Sequence, residues 1–397
     1  MAKRFSAAQW KRINALLDEN PQAFGMPEGG REESLVLGSF NIRKLSSTRS
    51  RQTEIAFMAR FCARCDLLAI QEIQDNLEGL HLLIDRMNAR VAGRDEFGLV
   101  VSDTTGKVPG KSGMAERLAF IYRKHRIRRM DMASDITIDR SAVYESLFRD
   151  SEAFTAAYED YRSDMDDFLN NERSTKPTFR PPNFVNFIRT PHTVAFEIPA
   201  ANDAPPITFT AVNAHLIYGK MTERLQEFDT LMSWLANRVK NEKNMVAPNI
   251  LLLGDLNLDF NKPSTDRPRI DKQIKTLNKD IFGRATANRI YFPFIDKHHV
   301  SGKYFRTTAR YTETYDQIGF FLGKSEKRLP NPDWQATDEA DGFDYGVFNF
   351  VDLFSKALKN RVFSGLSATE KDYILKHCGH SVSDHMPIWT RIPRPGF

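Results

Sequence analysis

Cysteine is scarce. Three residues in 397 are too few for a secreted disulfide framework and point to a reducing, cytoplasmic compartment. No apolar run approaches the eighteen or so residues of a membrane-spanning helix. Met1 to Asn20 is charged and amphipathic, without the apolar stretch of a secretory leader, so neither export nor a membrane partner is expected. Internal repeats and low-complexity tracts are missing. A strong charge excess is missing too: the formal net charge is only +5, which by itself selects no partner. With 41% hydrophobic and 27% charged residues, wholesale disorder is excluded. A chain this long buries roughly three quarters of its unfolded surface. Length alone allows two or three domains at about 150 residues each.

What is present is a recurring grammar of short β-rich runs with helical periods between several of them, the pattern of an α/β chain. Ser6 caps a helix bearing Trp10, Ile13, Leu16 and Leu17, which Pro21 stops. Pro21 to Glu33 reads as a linker, giving an N-terminal helix and linker over 1–33 and one domain over 34–397. Strand-like runs lie at Leu35–Arg43, Asp66–Glu72, Leu118–Tyr122, Thr193–Ile198, Ile207–His215, Asn249–Asn257, Tyr315–Leu322 and Met386–Arg391, with a helix at about Arg51–Arg64.

Several of these runs end in a carboxylate, carboxamide or imidazole: Asn41, Glu72, His215, Asp255, Asn257, Asp316, Asp384 and His385. Strand ends at one sheet edge meet at a crevice. Hard oxygens with two imidazoles suit Mg²⁺, or Mn²⁺, working on phosphates; zinc would favour more His or Cys. Each residue alone has a plainer reading as a turn former or structural histidine.

The order Ser-Phe-Asn-Ile-Arg (39–43), Gln-Glu (71–72), Glu116 before Ala-Phe-Ile-Tyr (119–122), Asn-Ala-His-Leu (213–216), Gly-Asp-Leu-Asn (254–257), Tyr-Asp-Gln-Ile (315–318) and Ser-Asp-His-Met-Pro (383–387) resembles the endonuclease/exonuclease/phosphatase superfamily, in its deoxyribonuclease-I-like form. The resemblance spans Leu35 to Arg391. It implies a four-layer sandwich: two mixed β-sheets packed face to face, flanked by helices, with the site at one rim. It implies that Glu72 is the main metal ligand, that Asn41 helps bind metal or phosphate, and that Asp384 is a further metal ligand or an organiser of the site. Asp255 and Asn257 would orient phosphate and water. His385 would pair with Asp316, and His215 with Glu116, supplying the base and acid of an in-line displacement. Arg189-Thr-Pro191 looks like the family's Arg-x-Pro step, making Arg189 a phosphate contact; Arg180-Pro-Pro182 competes for that role.

The presence of His215 beside Glu116 points away from abasic-site repair enzymes and towards deoxyribonuclease-like, deadenylase-like or sphingomyelinase-like branches. The Thr-Tyr-Asp-Gln-Ile block (314–318) departs from the inositol-phosphate phosphatase pattern. The expectation is a Mg²⁺-dependent nuclease cutting phosphodiesters, favouring DNA over RNA. The alternatives are a phosphodiesterase or phosphatase on lipid or small-molecule phosphates, and a catalytically silent nucleic-acid-binding protein.

Two stretches read as insertions. Ser134–Thr178 has net charge −6, with Phe148, Phe154, Tyr158, Tyr161 and Phe168 at helical spacing, as in a surface helical excursion with an aromatic inner face. Its acidity also suits a gate that mimics nucleic acid. Asn261–Thr314 has net charge +7, with Tyr291, Phe292, Phe294, Tyr304 and Phe305 interleaved. That mixture suits a nucleic-acid strand with stacking bases, or a solvated loop with a buried aromatic anchor. Arg43, Lys44, Arg49 and Arg51 extend the basic track, or merely solvate a helix start. Cys62-Ala-Arg-Cys65 and His377-Cys378-Gly-His380 offer zinc ligands, but Cys62 and Cys65 sit at the far end of the strand that leads to Glu72, about 20 Å away at ~3.3 Å per residue. Buried thiols are the expectation there, and a surface pair for His298-His299.

Overall fold

The apolar runs become strands because both their faces are covered. In the run Asn249–Asp255 every residue is buried. Alternate side chains go to opposite sides: Ile250 and Leu252 join one apolar cluster, Leu251 and Leu253 the other. The structure is a computed structural model. It describes residues 4–397 apart from 46–50, 92–94, 106–114, 137, 139, 180, 183–185, 264–265, 285–288, 299–300 and 324–343.

Two six-stranded sheets form among the described residues. The first contains β1 (Ser34–Leu45), β2 (Leu67–Gln74), β3 (Phe97–Val101), β4 (Glu116–Arg123), β11 (Asp344–Val347) and β12 (Ile388–Pro393), in the order β11-β12-β1-β2-β4-β3. The second contains β5 (Arg128–Asp135), β6 (His192–Ile198), β7 (Ile207–His215), β8 (Asn249–Asp255), β9 (Ile290–Tyr291) and β10 (Asp316–Phe321), in the order β5-β6-β7-β8-β10-β9. Both sheets are mixed: β1 with β2, and β7 with β8, run parallel, and the other pairs antiparallel.

The sheets pack through β1, β2 and β4 against β7, β8 and β10. Helices α1 (Ala7–Glu19), α2 (Gln52–Cys62), α3 (Glu78–Asn88), α8 (Phe350–Lys359) and α9 (Ala368–Ser381) contribute to the cluster around the first sheet. Helices α6 (Met221–Lys240) and α7 (Asp266–Phe282) cover the second. This is the four-layer sandwich that the motif order implies.

All eight strand-like runs of the sequence are strands. The four further ones, β3, β5, β9 and β11, are the four sheet edges. Edge strands are short or polar because one side meets solvent instead of a neighbour: β9 has two residues, and β5 has no buried position.

Pro21–Glu33 does not behave as a linker. Phe24 and Met26 are buried in the main core, Gly25 O accepts from the Trp389 indole at 2.8 Å, and Glu28 O accepts from Arg391 at 2.7 Å. Glycine and proline there shape a tight path over the sheet. The acidic segment forms α4 (Arg140–Arg149) and α5 (Ser151–Leu169), a surface excursion as expected. The aromatic face is not an inner one: α5 has no buried residue, and Phe148 is 74% exposed. Phe154, Tyr158 and Tyr161 gather on Phe179 instead.

Gly254 fixes the strand end that carries Asp255. Its φ is +149°, and a Cβ there would lie 1.9 Å from Ala214 O on β7. Backbone cannot yield as a side-chain tip does. Gly254→Ala is expected to cost ~3 kcal/mol or more, read as a lowered urea midpoint. A midpoint within error of wild type would show that the β7–β8 approach is looser than described.

Candidate active site

Strand register alone gathers half of the site. His215 on β7 lies opposite Asp255 on β8, and Asp255 lies opposite Asp316 on β10. In the other sheet Asn41 on β1 faces Gln71 on β2, and the register shifts between Ile70 and Ile73. Glu72 sits in that irregularity with φ +60°, a left-handed conformation that non-glycine residues adopt rarely. Beneath the site the sheets are joined by polar bonds: Gln71 Nε2 donates to Asn213 Oδ1 at 2.7 Å, and Asn213 Nδ2 donates to the carbonyls of Ile70 and Ala119 at 3.0 and 2.9 Å.

One oxygen is the hub. Asp255 Oδ2 accepts from Asn41 Nδ2 at 3.1 Å and lies 3.7 Å from His215 Nε2 and 3.5 Å from His385 Nε2. Each ring is backed by a carboxylate on its other nitrogen: His215 Nδ1 with Glu116 Oε2 at 3.0 Å, and His385 Nδ1 with Asp316 Oδ2 at 2.8 Å. Both expected pairs therefore exist, and both rings aim Nε2 at one point. Asn41 also donates to Glu72 Oε1 at 3.2 Å, which ties the two sheets' residues into one network. The 383–386 loop is held by Ser383 Oγ donating to Asn41 O at 2.7 Å and by Ala309 N donating to Asp384 O at 2.8 Å.

Charge follows from these contacts. Burial opposes ionisation of Asp255, but His385, His215, the Asn257 N–H and the Asn41 amide together hold it below the usual carboxylate range. Burial likewise opposes ionisation of Glu116, and His215 and Arg189 outweigh it, keeping this carboxyl low. Burial disfavours the charge on His385, yet Asp316 and Asp255 hold the imidazolium well above the ordinary histidine range.

Two of the three oxygen ligands expected for a divalent cation, Asn41 and Glu72, lie together and fit one. Asn41 Oδ1 is buried with no hydrogen-bond partner, beside the half-buried Glu72 carboxylate. An orphaned carbonyl oxygen next to a carboxylate is what a hard cation satisfies. Asp384 is exposed, with Arg43 Nε 3.8 Å from it. Among the described residues, Asp255, Asp316 and His385 form a different cluster of ligand-type atoms, all within 4.8 Å of one another. There the His385 proton already supplies the positive charge.

Some residues are used differently from expectation. Arg189 is buried, with Nε 2.7 Å from Glu116 Oε2 and Nη1 donating to Leu216 O at 3.1 Å; these bonds make it a holder of Glu116. Asn257, at φ +52°, donates its side-chain amide to Leu216 O at 2.8 Å, while its N–H caps Asp255 Oδ1 at 3.0 Å. In the basic segment Phe292 and Phe294 are core, Tyr291 and Phe305 pack against it, and only Tyr304 is exposed. Apolar burial took the rings that a strand's bases would need. Arg51 donates to the carbonyls of Arg43, Lys44 and Val382, so it fastens a loop. Arg49, Arg180 and His299 lie outside the described residues. His298 is no surface residue: its ring packs on Tyr345 at 4.8 Å and faces Asp344 at 3.4 Å. Cys62, Cys65 and Cys378 are buried free thiols, and burial pushes all three up.

Arg224, Tyr315, Asn213 and Thr307, whose Oγ1 accepts from Asp316 N at 3.1 Å, are not singled out by the sequence. Arg224 Nη1 donates to Asn257 O at 2.8 Å, and Tyr315 lies 6.5 Å from the His385 ring. Burial and the charge of Glu313 push the Tyr315 phenol up to about 12. Arg224, Lys262, Arg306 and Tyr315 line a cavity of about 270 Å³. Asn213 and Tyr315 stand inside the quoted motifs, and that proximity was the only available signal.

No family model matches the chain, and no curated protein matches it. Solved structures similar to it include the human Nocturnin catalytic domain with bound sulfate anion (10% identity, 91% of this chain and 94% of that one, TM-score 0.45). Others are an endonuclease/exonuclease/phosphatase family protein from Leptotrichia buccalis (12%, 90% and 98%, TM-score 0.44) and truncated TDP2 from Caenorhabditis elegans (14%, 90% and 96%, TM-score 0.43). At such values the functional argument rests on the site's own geometry.

His385 gives a pH test in metal-free, chelator-containing buffer. A folded-state value raised above about 6.5 contributes stability that is fully present below that pH and is lost as pH rises through the folded value. The stability advantage of wild type over His385→Asn should therefore be largest at about pH 6 and shrink towards pH 9 in urea titrations. A constant difference would mean that folding leaves the ring's pKa unshifted, and an advantage that grows with pH would mean that the ring is uncharged in the fold.

Proposed function

We propose that this chain is a metal-dependent hydrolase of phosphodiester bonds, acting on nucleic acid and on DNA before RNA. The observation that carries the reading is the convergence of two carboxylate-backed histidines, by Nε2, on Asp255 Oδ2. A phosphate entering there meets an imidazole nitrogen on either side. In-line displacement needs that arrangement: a base for the attacking water and an acid for the leaving oxygen. His385, which holds its proton against Asp316 and Asp255, is the acid in this reading. His215, oriented by Glu116 and Arg189, receives the proton of water. Asp255 and the Asn257 backbone position them. Glu72, Asn41 and Asp384 would hold Mg²⁺ or Mn²⁺, which when bound offsets charge on the phosphate.

DNA is put first on the resemblance to the deoxyribonuclease-I-like form; the His215–Glu116 pair itself fits the deadenylase-like and sphingomyelinase-like branches equally. Arg224, Lys262 and Arg306 line the neighbouring cavity beside Asp259, Asp266 and Glu313, and Arg306 pairs with Asp259 at 3.3 Å, so this lining is balanced in charge and does not by itself select a polyanion. One observation favours a second reading, a small phosphodiester or phosphomonoester: the burial of Phe292 and Phe294 leaves few rings for stacking. No helix among the described residues is long and apolar enough to cross a membrane. The three buried thiols support a reducing, cytoplasmic setting.

The deciding assay is a panel of plasmid, single-stranded DNA, RNA and bis(p-nitrophenyl) phosphate, with Mg²⁺ or with chelator. Metal-dependent cleavage of the polymers is expected. Turnover of the small diester alone would select the second reading, and no turnover of any would sink both. Glu72→Ala should abolish cleavage with an unchanged melting temperature. His215→Ala should lose about 10²–10⁴-fold; wild-type rates in either would remove that residue from the mechanism.

A further inference from the structure

At the end of the first sheet opposite the candidate active site lies a cavity of about 340 Å³. Arg64 precedes β2 and Glu72 nearly ends it, so the two ends are about 20 Å apart at ~3.3 Å per residue. Arg60, Arg64, Arg90 and Arg123 line the cavity, with Gly29 and Gly30 along one edge. Arg123 is the fixed floor, bonded to Glu96 at 2.8 Å and Ala63 O at 2.7 Å and 3.2 Å from Asp66. Arg60 pairs with Asp18. Arg64 spends Nη1 on Pro27 O at 2.9 Å, and Arg90 has no carboxylate partner among the described residues.

Three guanidiniums thus face one space with one ion-paired carboxylate, Asp18 on Arg60, and the charge of Glu28, itself paired with Arg31, acting on Arg64. The ends of α2 and α3 lie here, and their carbonyl dipoles offset part of the charge. The offset is incomplete: burial lowers Arg60, Arg64 and Arg90, and the charge of Arg90 lowers Arg60 and Arg64 further. Gly30, at φ +78°, has nothing within 4 Å of where a Cβ would stand, so its backbone borders open space. Guanidinium forks match phosphate oxygens. The volume lies at the lower end of the ~300–1,000 Å³ range of small-ligand pockets, more than one phosphate fills, and Pro21 and Val91 give it an apolar wall.

We propose that this cavity binds a small phosphate-bearing molecule about the size of a nucleoside diphosphate, at a site separate from the candidate active site. Arg64 and Arg90 grip the phosphates, Arg60 closes over them, and the apolar wall holds the organic body. The inference is independent of the hydrolase reading.

The test is a TROSY NMR titration of the full chain, in chelator, with ADP, inorganic pyrophosphate or a short oligothymidylate. ADP and pyrophosphate should shift the Gly29, Gly30 and Arg64 amides saturably, and Arg64→Ala/Arg90→Ala should weaken both at least about tenfold. Arg90→Gln, which removes a charge that has no carboxylate partner among the described residues, should weaken ADP while leaving the ligand-free melting temperature unchanged or higher. The proposal is overturned by no saturable shift at these amides up to ~10 mM of either small probe, or by shifts with the oligonucleotide alone. It is also overturned if Arg90→Gln lowers the melting temperature and keeps wild-type affinity, which would make Arg90 a helix-end residue only.

Discussion

A single buried oxygen organises this molecule's chemistry. Asp255 Oδ2 lies where two sheets and three strand ends meet, and it keeps its negative charge only because Asn41, His215 and His385 surround it. Removing any of them leaves an under-compensated buried charge, so the network is cooperative rather than a sum of contacts. Glu116 and Asp316 then fix the two rings from behind. The strain at Glu72 and the backbone contact at Gly254 are local costs of delivering both halves of the network to one place.

The two halves come from different sheets, and the sheets are held in register by polar groups as well as by apolar packing. Gln71, Asn213 and Ser39 form a fully buried set between them. Apolar side chains tolerate sliding by a fraction of a residue, because the hydrophobic effect has no direction. A carboxamide bonded to two specific carbonyls does not. This set therefore sets the spacing between the Asn41–Glu72 edge and the His215–Asp255 edge.

Much of this was legible in the amino-acid order, for a physical reason. Strands covered on both faces must be apolar throughout, so all eight interior strands stood out. The edge strands lacked that pressure and were missed. Site residues stood out because each ended such a run. What the order did not carry was which side chain satisfies which. Arg189 and Asn257 read as phosphate ligands, but their guanidinium and carboxamide are engaged by Glu116 and by backbone carbonyls. The basic segment read equally as a stacking track or as a loop with a buried aromatic anchor, and the burial of Phe292 and Phe294 gives the second. Pro21–Glu33 had the composition of a linker because close backbone packing and loose backbone draw on the same residues.

The pairing of β1 with β12 joins residues more than 340 positions apart in sequence. Such contacts close very long loops and form late in folding. The Ser383 bond to Asn41, and with it the placement of His385, belongs to that late closure. A folding intermediate with the second sheet intact would already hold His215 and Asp255 in register, yet would lack the second imidazole and the Asn41 edge. The placement of His385 and of the Asn41 edge thus hangs on one long-range seam, and any opening of the β1–β12 pairing would take both away from His215 and Asp255 together.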